Sequence, residues 1–171
     1  MIYNFVIISG EVESFIREFQ LSDTNTLLDF HMALQEELEY DKSQMSSFFT
    51  SNENWEKEEE FTLFDMGSNT TAMEDVTIDD ILIIDNQKLL YIFDLFNERA
   101  FFIECIGPTD EIEGREYPIC TQSKGRPPKQ VVFSDFTHVD LPKLTEDEDE
   151  KGMDDQGDLP DIESIENIDD L

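Results

Sequence analysis

The chain is short of positive charge and of the side chains that most often build reactive centres. Eleven Lys and Arg stand against 42 Asp and Glu in 171 residues, a formal charge of −31. A field of that sign repels phosphate backbones and anionic lipid headgroups, so direct nucleic-acid binding through general electrostatics is disfavoured. The two histidines, His31 and His138, and the two cysteines, Cys105 and Cys120, have neither finger nor enzyme spacing, so neither a metal nor a cofactor is expected. Two cysteines make no disulfide framework either, and each reads as a small packing residue. No run approaches the roughly 18 continuous apolar residues of a membrane span. The densest, Lys88–Gly107, is broken by Asp94, Asn97, Glu98, Arg99 and Glu104. The opening MIYNFVIISGEVE lacks the basic start of a secretory signal, which points to a cytoplasmic protein with no membrane attachment.

What is present is enough for one core. Hydrophobic residues make up 39% of the chain and include 14 Phe, too many for wholesale disorder. The acidity is uneven: residues 145–171 hold 13 of the acidic residues and only one of the basic ones. This divides the chain into a domain over 1–144 and an acidic tail over 145–171, expected to be largely disordered.

Period-two and period-3.6 patterns set the expected fold. Ile2–Ser9 and Glu13–Leu21 flank a Ser-Gly-Glu turn and predict an opening β-hairpin. Leu27, Phe30, His31, Leu34 and Leu38 then lie on one helical stripe, with Thr26 and Asp29 as the starting cap and an end near Tyr40. Short strands are expected at Ser46–Ser51 and Glu59–Asp65, joined by a charged connector over 52–60. Trp55 in that connector reads as folding back on the core rather than standing exposed. Thr77–Ile81 predicts a helical turn. In the central pair, Leu89, Tyr91, Phe93 and Leu95 face one way and Leu90 and Ile92 the other, so the strand is covered on both sides. Phe96–Arg99 makes the connection, and Ala100–Ile106 returns with Phe102 and Ile106 opposite Phe101, Ile103 and Cys105. Glu116–Thr121 is a further short strand and Val131–Phe136 a last apolar patch. The expectation is α+β: a mixed or antiparallel sheet with one main amphipathic helix packed on it, followed by the acidic tail.

Four blocks carry a family likeness. Thr26-Leu27-Leu28-Asp29-Phe30-His31 opens the helix, and Met45-Ser46-Ser47-Phe48-Phe49 leads into an aromatic strand. Tyr91-Ile92-Phe93-Asp94 sits in the central hairpin, and Tyr117-Pro118-Ile119-Cys120 precedes Pro127-Pro128. In order and spacing over about 1–130 the chain resembles the Ri-plasmid ORF-3-like family, some of whose members are labelled passenger proteins of insertion elements. The resemblance implies a fold and an association with mobile DNA, and no enzymatic activity. The chain departs from the family pattern after Asp94, where Leu95-Phe96-Asn97 replaces Phe-Gly-Asp. Arg99 and Phe101 stand where Trp and His belong, and Met45 where a further His is expected. Of any polar site built on those positions, His31 and Asp94 would remain.

Three groups of residues are candidates for function. His31 and Asp94 could serve as an acid and base pair in a hydrolase-like enzyme of unknown reaction, or His31 could be a core histidine whose ring is satisfied by Asp94 or a carbonyl. Arg115, Lys124, Arg126 and Lys129 form the one basic concentration, suited to an acidic partner, the chain's own tail included. Ile162, Ile165, Ile168 and Leu171 recur every three residues on an otherwise acidic stretch, a stripe that could enter a groove of a partner protein. The carboxylate runs 56–60 and 146–150 lack the tight-turn spacing of a calcium loop. The leading expectation is a non-enzymatic binding or interaction module with a protein partner.

Overall fold

The computed structural model describes residues 1–67 and 69–132, all within the compact unit Met1–Phe133. Its strands are β1 (Ile2–Ser9), β2 (Ile16–Ser22), β3 (Ser47–Ser51), β4 (Lys57–Thr62), β5 (Thr71–Ala72), β6 (Lys88–Asp94), β7 (Arg99–Thr109) and β8 (Ile119–Lys124). The helices are α1 (Leu27–Leu38) and the single turn α2 (Ile78–Ile81), preceded by a 3-10 turn at Met73–Asp75. The strands form one sheet in the order β5-β4-β3-β6-β7-β1-β2-β8. Every pairing is antiparallel except the two-residue parallel contact of β4 with β5, so the architecture is a mixed, sheet-dominated α+β fold.

α1 begins where its cap chemistry says it should. The Thr26 side chain accepts from the Asp29 N–H, and the Asp29 carboxylate accepts from the Thr26 N–H, two orphan donors satisfied together. α2 repeats the device with Thr77 and Asp80. The two caps touch: Leu27 N–H donates to Val76 O at 2.9 Å and Ile78 N–H to Asn25 O at 2.8 Å. At its other end α1 stops at Glu39, left-handed at φ 54.

Leu27, Phe30, His31, Leu34 and Leu38 are all buried, as the stripe predicts. Phe30 is the hub of the core, its ring 5.5 Å from Phe5, 5.8 Å from Phe19 and 5.5 Å from Phe48. Leu89, Tyr91 and Phe93 of β6 join this core together with Phe101, Ile103 and Cys105 of β7. Leu90 and Ile92, pointing the other way, are buried as well.

Several local expectations need correction. Leu95 lies beyond the end of β6 in the turn and is exposed, because a bulge between Ile92 and Asp94 breaks the alternation there. β4 begins at Lys57, inside the stretch read as a connector: backbone pairing with β3 carries three glutamates, of which Glu58 and Glu59 are exposed and Glu60 half-buried. β5 and its following turn are too short for any periodicity to show. β8 runs three residues later than its apolar pattern suggests, since its register is set by pairing with Ile16–Gln20. Trp55 is half-buried on the sheet face away from α1, its ring 5.0 Å edge-on to Phe102, with Lys88 Nζ 4.8 Å above it. The acidic tail lies outside the described residues.

Candidate functional site

His31 and Asp94 do not meet. His31 projects from the buried side of α1 into a sealed polar cluster around Tyr91. Its Nδ1 lies 2.9 Å from Tyr91 Oη, Gln35 Nε2 donates to that oxygen at 2.6 Å, and Tyr91 donates to Ser46 Oγ at 3.2 Å. With the phenol donating to Ser46, the tautomer that completes the cluster places the imidazole proton on Nδ1. Burial holds His31 down at about 4 and pushes the Tyr91 phenol up to about 12, so both are neutral near pH 7. A neutral imidazole enclosed with a phenol and a carboxamide, at 1% residue exposure, joins helix to sheet. Gln35 Oε1 remains buried without a partner among the described residues.

Asp94 organises a different place, the β6–β7 turn. Its Oδ1 accepts from the N–H groups of Phe96 and Asn97 at 3.2 and 3.1 Å, and its Oδ2 accepts from Asn97 Nδ2 at 2.8 Å. Desolvation raises the carboxyl, but the Asn97 bonds and the Arg99 charge outweigh it and the net displacement is downward. Glu98 completes the turn in the left-handed region at φ 52. Phe96 is thereby presented at the tip, 93% exposed.

That turn forms one wall of a cleft of about 400 Å³. Ser43, Gln44 and Met45 line it from the α1–β3 loop, and Gln130, Val131 and Val132 from the segment after β8. Met45, Leu95, Phe96, Val131 and Val132 are all exposed apolar residues on its lining. The segment over 125–130 is a strap held by side-chain donors. Arg17 Nη1 donates to Lys124 O and Gly125 O at 2.7 and 3.0 Å, Tyr40 Oη to Pro128 O at 2.6 Å, and Arg99 to Lys129 O and Gln130 O at 2.7 and 3.0 Å. Gln130 exchanges two further bonds with the Asp41 backbone.

The basic residues singled out in the sequence are all exposed: Arg115 lies in the β7–β8 connection, Lys124 at the end of β8, and Arg126 and Lys129 on the strap. Ile162, Ile165, Ile168, Leu171 and His138 fall outside the described residues. Cys105 is buried and the Cys120 thiol is raised to about 11 by burial first, with the Glu37 charge adding to it, which leaves neither as a ready nucleophile near pH 7. Among the described residues no group of three His, Cys, Asp or Glu is arranged to hold a metal ion, and no helix is long and apolar enough to cross a membrane. Phe96 is the residue that period counting passes over: a turn is read for its polar residues, and the signal lies in an aromatic two positions after a carboxylate able to pin that turn.

A sheet-dominated α+β domain with a capped helix, a sealed His–Tyr cluster and a strapped cleft is the class these features define. The chain belongs to the plasmid pRiA4b ORF-3-like protein family, whose model matches residues 4–158. Among solved structures it is similar to a protein of unknown function from Methanosarcina mazei Go1, at 20% identity and a TM-score of 0.58, covering 71% of this chain and 68% of the other. That likeness supports the fold alone. No curated protein matches.

Proposed function

We propose that the domain is a non-enzymatic, cytoplasmic interaction module that contacts a cationic protein through the cleft beside the β6–β7 turn. The observation that carries this reading is Phe96, an almost fully exposed aromatic on a turn locked by Asp94 and flanked by exposed Leu95, Met45, Val131 and Val132. An apolar cluster of this kind marks an interaction surface, and a rigid anchor loses little entropy when it docks. Charge selects the partner: two copies of a chain at −31 repel each other, whereas a hydrophobic pocket rimmed by Lys or Arg is attracted from a distance. Arg126 and Lys129 on the strap and the stripe Ile162, Ile165, Ile168 and Leu171 would be secondary contacts.

Membership in a plasmid-named family makes proteins encoded with mobile elements the first to screen, as context without mechanism. The enzyme alternative has no observation in its favour, since His31 and Asp94 line no common cavity among those described. The test places a photo-crosslinking phenylalanine analogue at position 96 in one sample and at exposed Phe64 in another. A basic protein captured from position 96 alone, and released by competing full-length chain but not by its Phe96→Ser variant, is expected. Equal capture from both positions would discard the reading.

A further inference from the structure

A second cleft, of about 380 Å³, opens on the sheet face opposite α1, where Ser51, Glu53, Asn54, Asp85, Lys88 and Glu104 are among its lining residues. The register puts Ser51 opposite Lys88 and Lys88 opposite Glu104, so these three side chains leave the sheet on one side. Ser51 is fully buried and its Oγ has no partner among the described residues. A buried hydroxyl left unpaired costs about 1–3 kcal/mol, so its presence on the cleft lining points to a ligand group that completes it.

The surroundings select the chemistry of that group. None of the ion pairs among the described residues includes Glu53, Asp85 or Glu104. The Lys88 ammonium is already engaged, 4.8 Å above the Trp55 ring and donating to Glu53 O at 3.1 Å. The cleft therefore offers three carboxylates against one occupied cation. These carboxylates are not grouped as a metal site, which would need oxygens converging at about 2.0–2.6 Å on one ion. Acceptors spread around a mouth suit a ligand whose positive charges are spread along a chain.

We propose that this cleft binds an extended polyamine, with its ammonium groups at Glu53, Asp85 and Glu104 and one N–H donated to Ser51 Oγ. The wall that carries Glu53 and Asn54 is fixed in advance. Asn52 Oδ1 accepts from the Asn54 and Glu56 N–H groups at 2.9 and 3.1 Å. Trp55 holds φ 63, a conformation bulky side chains seldom adopt, by packing on Phe102.

Calorimetric titration of the full chain with spermidine at about 0.15 M salt, where charges beyond roughly 8 Å are screened, tests the proposal. One saturable site is expected. Asp85→Asn with Glu104→Gln should weaken it at least tenfold and Ser51→Ala severalfold, while the matched pair Glu111→Gln with Glu113→Gln, outside the cleft, leaves it unchanged. Each variant is checked for a single cooperative thermal unfolding transition no lower than that of the native chain, and Ser51→Ala, which removes only an unpaired hydroxyl, should unfold no earlier. Absence of saturable binding, equal weakening by both double variants, unchanged affinity in Ser51→Ala, or competition by a neutral sugar instead of spermidine would each overturn it.

Discussion

Arg99 grips Glu11 across 88 residues of sequence through two parallel bonds, Nε to Oε1 and Nη2 to Oε2, both 2.8 Å. The same guanidinium lies 4.7 Å over the Phe93 ring and donates to two strap carbonyls. One side chain thus joins the β1–β2 turn, β6 and the strap.

Arg99→Lys keeps the charge and loses the fork. Glu11 is 41% exposed at its side chain, so solvent screens part of the pair, and the expected cost is about 1–2 kcal/mol, chiefly from unpaired carbonyls. Urea unfolding gives the magnitude, and limited proteolysis should show earlier cleavage near 125–132. Unchanged cleavage would separate Arg99 from the strap. Gly125→Ala should act similarly: at φ 76 an added Cβ runs into the Ser14 carbonyl.

Tyr91→Phe deletes the oxygen at the centre of the buried cluster and strands Gln35 Nε2, His31 Nδ1 and Ser46 Oγ together. A loss of about 2–3 kcal/mol is expected from the unsatisfied groups. The measurement is the denaturation midpoint at constant m-value, and a change below 0.5 kcal/mol, an order-of-magnitude threshold, would show that the cluster contributes little.

His31 makes stability depend on pH. Burial holds its folded pKa at about 4, below the 6.5 of an ordinary imidazole, so the unfolded chain takes up the proton first as pH falls. The contribution is intact above about 6.5 and disappears between about 6.5 and 4, on the order of 3 kcal/mol in full. Protonating the many carboxylates relieves repulsion in the opposite sense, so the quantity to measure is the difference between the native chain and His31→Gln. Parallel stability curves over pH 7 to 4.5 would remove His31 as the cause.

Phe96 and Phe30 should separate surface from core. Phe96→Ala is expected within about 0.5 kcal/mol of the native chain, whereas Phe30→Ala, which empties the contact with Phe5, Phe19 and Phe48, should cost about 3–5 kcal/mol. Thermal unfolding of both, side by side, is the check.

The sequence showed the elements whose signals are local and repeated. The α1 stripe, the Thr26–Asp29 cap and the two-sided apolar run of β6 each follow from residues a few positions apart. Positions settled by distant pairing were hidden. Glu58, Glu59 and Glu60 lie in a strand because β3 offers them backbone partners, a fact no propensity records. His31 faces Tyr91, 60 residues away, and neither residue's neighbours in the chain point to the other. Ser51 becomes notable only when the register sets it beside Lys88 and Glu104.

The strap also changes how the surface charge is distributed. Of nine cationic side chains up to residue 132, Arg17 and Arg99 are drawn inward, at 5% and 12% side-chain exposure, to fasten backbone carbonyls. An approaching macromolecule therefore meets a skin more uniformly acidic than the composition alone describes. Added salt should quicken encounters between these molecules, and slow their encounters with basic proteins, while leaving the two arginine fastenings largely untouched.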